Sequence, residues 1–371
     1  MFQHPERAQR GFAELDQHLA PESQEVLKSL LGQSPDPDAA LHNLIRYLAA
    51  TGTRPETGFP ATRLHALVAV FSHSHFLSET LFQQPDLLDW VLEHSDLYRV
   101  LSAEELRAQV PAFPAETMDR AAVGLELARF RRRHLLRIVL RDVLGLATLA
   151  EVTLELSTLA DALLDAALEW VFHHTVRRHG RPWLAERREE CGFAVLALGK
   201  LGGQELNYSS DIDLLYLFGG PGRTDGPTPL TNKEFYIQVA NQLTELLSAA
   251  TPEGLCYRVD LRLRPEGSLG EVALSSEAAR DYYQNRARDW ELQMLIKARA
   301  AAGSRTLGRS FLESVEPLIY KTTTDFSALE SVSETRQRIH EKQLRRRAPA
   351  GLNVKLSRGG IRDIEFMTQC L

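Results

Sequence analysis

The sequence predicts an α+β protein, mostly helical, with a small mixed sheet flanked by helical regions. Three observations predict it. Apolar residues recur at three- and four-residue spacing from residue 1 to about 150. The period then shortens in three brief apolar runs between residues 193 and 265, two of them separated by a helical segment. Helical spacing returns after about residue 304. These changes divide the chain into a helical N-terminal region (1–150), a central domain holding the sheet (151–303) and the start of a C-terminal helical domain (304–371).

Along the chain, "SQEVLKSLLG" and "DAALHNLIRYLAATG" carry helical spacing and stop at glycine, and "PDLLDWVLEH" opens on proline. The longest pattern is "AAVGLELARFRRRHLLRIVLRDVLGLA", where Leu125, Phe130, Leu135, Ile138 and Leu144 fall on one stripe. A second helix pair is expected over "AEVTLELSTLADALLDAALEWVFHHTVRRHG". "FAVLALG" at 193–199 and "DIDLLYLF" at 211–218 are strands. "TNKEFYIQVANQLTELLSAA" is a helix with Thr231 as N-cap and Glu234 completing a capping box. "LCYRVDLRLRP" is a third strand stopped by Pro265. "SSEAARDYYQNRARDWELQMLIKARAAAG" reads as mostly helix, as does "SALESVSETRQRIHEKQLRRR". "GGIRDIEFMTQCL" reads as a helix still apolar at Leu371, the mark expected of a fragment of a longer polypeptide.

Composition narrows the function. The chain has 371 residues, 44% hydrophobic and 25% charged, with a formal net charge of -6. That balance gives no sign of nucleic-acid binding. Apolar runs are too short for a membrane span, and "MFQHPERAQR" has no apolar core of a signal peptide. Cys191, Cys256 and Cys370 are scattered, so neither a zinc ribbon nor a disulfide framework is expected. The cytoplasm is the expected location.

The informative stretch is "LGKLGGQELNYSSDIDLLYLF". On a strand, residues two apart share a face, so Asp211 and Asp213 project together while Ile212 and Leu214 enter a core. In the third strand, Asp260, Arg262 and Arg264 share one face and Val259, Leu261 and Leu263 the other. If the strands are neighbours, three aspartates meet. Such carboxylates repel one another, and hard divalent cations relieve the repulsion. A pair of ions held this way can clamp both the attacking and the leaving oxygen of a displacement at phosphorus. Arginine forks suit phosphate oxygens. Gly199, Gly202 and Gly203 permit unusual backbone, and their amides, with Ser209 and Ser210, can hold a phosphate chain.

This order of motifs resembles the DNA polymerase beta-like nucleotidyltransferases. More narrowly, "LGKLGGQELNYSSDIDLLY", "YRVDLRLRPEG", "DYYQNRARDWELQMLIKARAAAG" and "KLSRGGIRDIEF" together resemble the bifunctional glutamine synthetase adenylyltransferase/deadenylylase family, over roughly residues 65 to 371. "ELARFRRRHLLRIVLRDVLGLA" resembles the helix before that family's N-terminal catalytic unit. Members are about twice as long or more and carry two such units. The resemblance implies a polymerase beta-like catalytic domain belonging to the deadenylylating half. That half removes AMP from a glutamine synthetase tyrosine by phosphorolysis and yields ADP, whereas the other half adds AMP from ATP. It implies two Mg2+ or Mn2+ ions on Asp211, Asp213 and Asp260. Gly199, Lys200 and Ser210 would lie along the phosphates, with Lys297 and Arg299 as further phosphate ligands. Arg262 and Arg264 are expected to hold the incoming orthophosphate. Glutamine synthetase, the PII signalling protein, ATP or ADP and orthophosphate are the implied partners. Ala287 stands where the family has glycine, Glu271 where it has proline and Leu292 where it often has arginine.

Other features carry plainer readings. The basic runs "RFRRRH" (129–134) and "LRRR" (344–347) read as solvated helix faces, or as contacts for an acidic partner. His73 and His75 diverge on a helix, and His173 and His174 read as surface. Trp183 and Trp290 read as packing anchors. Arg358 either starts a helix or faces the active site.

Overall fold

The computed structural model describes residues 2–55, 59–93, 95–186 and 189–320, with residues 354, 355, 359–361, 364, 365 and 368. The chain forms two compact units. One comprises Met1–Pro111, Leu125–Leu163 and Thr251–Gly254; the other comprises Ala112–Gly124, Leu164–Ala250 and Leu255–Leu371. The units therefore divide neither at residue 150 nor at 303.

The first unit is built of helices: α1 Pro5–Leu15, α2 Pro21–Gln33, α3 Pro37–Thr51, α4 Ala61–His73, α5 His75–Gln83, α6 Asp86–Glu93 and α7 Ala103–Gln109, with much of α8 Arg120–Val143 and the start of α9 Leu149–His179. The first three begin at proline, whose missing amide is not needed in a first turn. Asp36 caps α3 through the Ala39 amide, and Gly52 ends it in the left-handed conformation. Ser102 and Glu105 form a capping box on α7. The core includes Leu15, Leu44, Leu67, Phe71 and Leu136. Leu149–His179 forms one long helix rather than the expected pair.

The basic stretch of α8 corrects the expectation of a solvated face. Arg132, His134, Arg137 and Arg141 are buried. Arg137 and Arg141 both pair with the fully buried Glu155 of α9. Arg137 donates to the Asp96 carbonyl at 2.9 Å and Arg141 to the Leu97 carbonyl at 2.9 Å. Arg132 pairs with Glu253 at 2.9 Å, and Arg133 lies over the Trp90 ring at 4.5 Å. Residues 344–347 and Arg358 lie outside the described residues.

The second unit holds β1 Pro182–Leu184, β2 Phe193–Leu198, β3 Ile212–Phe218, β4 Gly222–Thr224, β5 Val259–Asp260, β6 Ala273–Ser275 and β7 Arg299–Gly303. Its helices are α10 Gly199–Gly202, α11 Asn232–Ser248, α12 Ser276–Asn285, α13 Asp289–Gln293 and α14 Arg305–Ile319, in addition to the end of α9. β1 and β4 pair by themselves. The main sheet runs β5-β3-β2-β7, and β6 also joins β3. β3 is antiparallel to β2 and parallel to both β5 and β6. One face packs Leu196, Leu215 and Leu217 against Tyr282, Tyr283 and Phe311 of α12 and α14. On the other face, Phe193 stacks on Tyr236 of α11 at 5.0 Å.

Two strand assignments change. The third strand is only Val259–Asp260, and the chain turns away through Glu266 and Gly267, both at positive φ. "RAAAG" is the strand β7 rather than helix. Its small side chains admit α14 closely: a Cβ on Gly308 would lie 2.7 Å from the Ala300 Cβ.

Candidate active site

The site is assembled at the leading end of β3. Antiparallel pairing sets Leu198 opposite Asp213, and parallel pairing sets Asp213 beside Asp260. Register partners share a face, so the two carboxylates project together. Ile212 and Leu214 are fully buried on the opposite face and hold the strand in this register. Asp211 stands one residue ahead of β3 and is exposed.

Electrostatics tie the three together. The Asp213 carboxyl is pushed up to about 6, first by burial and then by the charges of Asp260 and Asp211. Asp260 behaves oppositely. Hydrogen bonds from Arg262 hold its carboxyl below the usual range. The Arg262 amide donates to Asp260 Oδ1 at 2.8 Å and its Nε to Oδ2 at 2.9 Å. Asp211 is paired with Arg258, whose Nη2 also donates to the Ser209 carbonyl at 2.7 Å. As the side chains stand, no three metal-ligating groups among the described residues are close enough together to hold an ion.

The glycine turn wraps this end of the sheet. Gly199 has φ +55°, and a Cβ there would lie 2.6 Å from Asp213 Oδ2. Only glycine allows the backbone to pass so near the carboxylate in that conformation. Gly202 is similarly confined, because its Cβ would sit 2.3 Å from the Lys297 carbonyl oxygen. Lys200 is exposed on α10. Ser210 Oγ donates to the Asn207 side chain, and Ser209 is exposed.

The remaining sequence-selected residues sit differently from one another. Lys297 Nζ pairs with Glu205 at 2.9 Å. Arg299 donates to the Leu201 carbonyl at 2.9 Å and so anchors α10. Arg264 does not share the face of Asp260 as expected, because β5 ends first. Its guanidinium instead binds the carbonyls of Leu261, Ser268 and Gly270 in its own loop. Leu292 packs into the apolar core with Leu295 and Phe311 rather than facing phosphate. Trp183 donates its ring N–H to Asp225 at 2.8 Å, away from the carboxylates on the separate β1–β4 pair.

Sequence reasoning missed Arg258. The signal was present, since Arg258 stands two residues before Asp260 in an alternating strand. The arrangement brings oxygen-only donors, a glycine-lined backbone and two guanidinium groups to one sheet end, a set suited to anionic phosphate with hard cations.

Comparison with known proteins agrees with this chemistry. Residues 64–314 match the family model described as glutamate-ammonia ligase adenylyltransferase, and residues 328–371 match that of GlnD PII-uridylyltransferase. A protein from Thioalkalivibrio sulfidiphilus is 38% identical over 304 residues, which is 82% of this chain and 31% of that protein. One from Pseudomonas aeruginosa is 37% identical over 331 residues, 89% of this chain and 34% of that protein. One from Nitrosococcus oceani is 37% identical over 319 residues, 85% and 32% respectively. Each is named a bifunctional glutamine synthetase adenylyltransferase/adenylyl-removing enzyme. The chain spans about a third of the length of these relatives.

Proposed function

The chain belongs to the glutamate-ammonia ligase adenylyltransferase family, and we propose that it is the part that removes AMP from a tyrosine of glutamine synthetase by phosphorolysis, with ADP as product. The observation that carries this reading is the register of β3 and β5, which sets Asp213 beside Asp260 with Asp211 next to them. The direction of the reaction rests on chain order, since the helical region precedes the unit as in the family's deadenylylating half. Glutamine synthetase is then the protein substrate, and PII is the regulatory partner that the match of residues 328–371 supports. The cytoplasm is the proposed location.

Asp211, Asp213 and Asp260 fit divalent cations by donor chemistry. Asp213 supports this most directly, because two neighbouring carboxylates oppose its ionisation and a cation would relieve them. The fit requires Arg258 and Arg262 to leave Asp211 and Asp260. Bound Mg2+ or Mn2+, two ions in this reading, would supply positive charge to the phosphodiester and to the departing tyrosyl oxygen. The protein's own residues do the rest. Arg262, Lys200 and Ser210 bind phosphate oxygens, and the Gly199 turn admits them beside Asp213. An oxygen of orthophosphate bonds to the phosphorus of the tyrosyl-AMP ester as the tyrosyl oxygen leaves. The proton that orthophosphate brings ends on the phenol. The nucleophile is already anionic, so no side-chain base is needed.

The test is to incubate adenylylated glutamine synthetase with the chain, Mg2+ and orthophosphate and to measure ADP. We expect ADP from the wild type and only background from Asp213→Asn. Transfer of AMP from ATP onto unmodified glutamine synthetase, with no ADP formed from the adenylylated enzyme, would assign the opposite direction. A folded chain active in neither assay would be a regulatory module.

A further inference from the structure

Resting on that reading, we infer that Arg258 is a phosphate-binding residue that exchanges partners: it holds Asp211 in the metal-free site and transfers to a phosphate group once a cation takes the carboxylate. Three observations carry this. First, its position is fixed by the sheet. The Ile212 amide donates to the Arg258 carbonyl at 2.9 Å, directly before the paired residues Val259 and Asp260. Second, its guanidinium spans Asp211 Oδ1 and the Ser209 carbonyl. Both acceptors lie in the segment assigned above to metal and phosphate. Third, the Arg258 side chain is 60% exposed and that of Asp211 44%. Such a pair is screened by water and weak, so a divalent cation can displace it.

The backbone that holds Arg258 does not move with its side chain. A displaced guanidinium stays tethered at the end of β3, where the only new anion is the phosphate that the cation brings. Its planar fork suits phosphate oxygens as well as it suits a carboxylate. Arg258 therefore competes with the cation and cooperates with the phosphate. Arg262 makes the same kind of contact to Asp260 and is 78% exposed. The difference is that Arg258 alone also ties down the carbonyl of Ser209.

The experiment uses the 371-residue chain, with Arg258→Lys and Arg258→Gln, each checked for fold by melting temperature. Mn2+ affinity is read from the electron paramagnetic resonance of the free ion, without nucleotide. Orthophosphate and ADP binding are read by calorimetry at saturating Mg2+. Lysine keeps the charge but cannot span both acceptors. We expect both variants to bind Mn2+ roughly two- to fivefold more tightly, the worth of a surface ion pair. We expect phosphate binding to weaken roughly tenfold, the loss of one charge-assisted contact. Weakening confined to ADP, or confined to orthophosphate, supports the exchange and identifies which phosphate takes the guanidinium. Unchanged Mn2+ affinity in Arg258→Lys overturns it, because only distant charge would then be at work. Unchanged binding of both phosphate probes overturns it as well. If Asp213→Asn binds Mn2+ as the wild type does, the metal reading itself has failed, and the exchange falls with it.

Discussion

Arginine meets glutamate or aspartate in both units, with opposite consequences. In the helical unit, Arg137 and Arg141 are 1% exposed and share a Glu155 that is wholly buried. Backbone carbonyls take further guanidinium N–H groups, so these charges have nowhere else to go. At the carboxylate site, Arg258 and Arg262 reach Asp211 and Asp260 from the surface. Desolvation makes the difference. A buried charge pair cannot lose one member without stranding the other, whereas an exposed pair can trade its partner for water, an ion or a phosphate. The same two residue types therefore build a fixture in one unit and an exchangeable contact in the other.

This contrast can be broken or sharpened by substitution. The largest effect is expected at Glu155. Glu155→Gln leaves two buried guanidinium groups without their carboxylate and should cost about 3–5 kcal/mol, read by denaturant unfolding of the helical unit. A loss below about 1 kcal/mol, the size of a surface pair, would erase the distinction. Asp213 comes next, with the opposite sign. Its carboxyl titrates at about 6 in the folded state, against 3.8 for an unperturbed aspartate. The unfolded chain thus releases this proton first as pH rises. Metal-free protein loses the corresponding stability between about pH 4 and 6 and loses no more above that range. Asp213→Asn escapes this loss, so its advantage over wild type should grow to about 3 kcal/mol at pH 7 and vanish near pH 4. Melting curves of both forms across that range, in chelator, provide the check, and an advantage independent of pH would refute the assignment. The smallest effect belongs to Arg262→Ala, whose surface pair should change stability by less than about 1 kcal/mol. A larger loss would make Arg262 a structural residue like Arg137.

Much of the architecture of the sheet-bearing unit was legible because its signals are local. The runs at 193–199 and 211–218 are strands, and Thr231 with Glu234 forms the anticipated capping box. The Asp213–Asp260 pairing followed from alternation and from the assumption that the two strands are neighbours. What escaped depends on tertiary contacts. "RAAAG" has helical propensity in its alanines, yet it forms β7, where small side chains let α14 approach closely. "DLRLRP" alternates like a strand, yet it turns after Asp260 because Arg264 gathers the carbonyls of its own loop. "RFRRRH" looks solvated because sequence does not show Glu253 waiting for Arg132 in the fold. Arg258 was overlooked although the same alternation marks it.

The edge of β3 is shared by two short strands. β5 pairs with Ile212 and Asp213, β6 with Tyr216 to Phe218, and the chain between them, residues 261–272, departs and returns to the same edge. Both anchor points are fixed by backbone hydrogen bonds, so the excursion can change length or sequence without disturbing the register that aligns Asp213 with Asp260. Closing a longer loop costs little, about 0.6 kcal/mol per doubling of length. At its tip stands Leu269, 93% exposed. This gives the fold a place where evolution, or a protein engineer, can remodel what lies next to the carboxylates while leaving them in place.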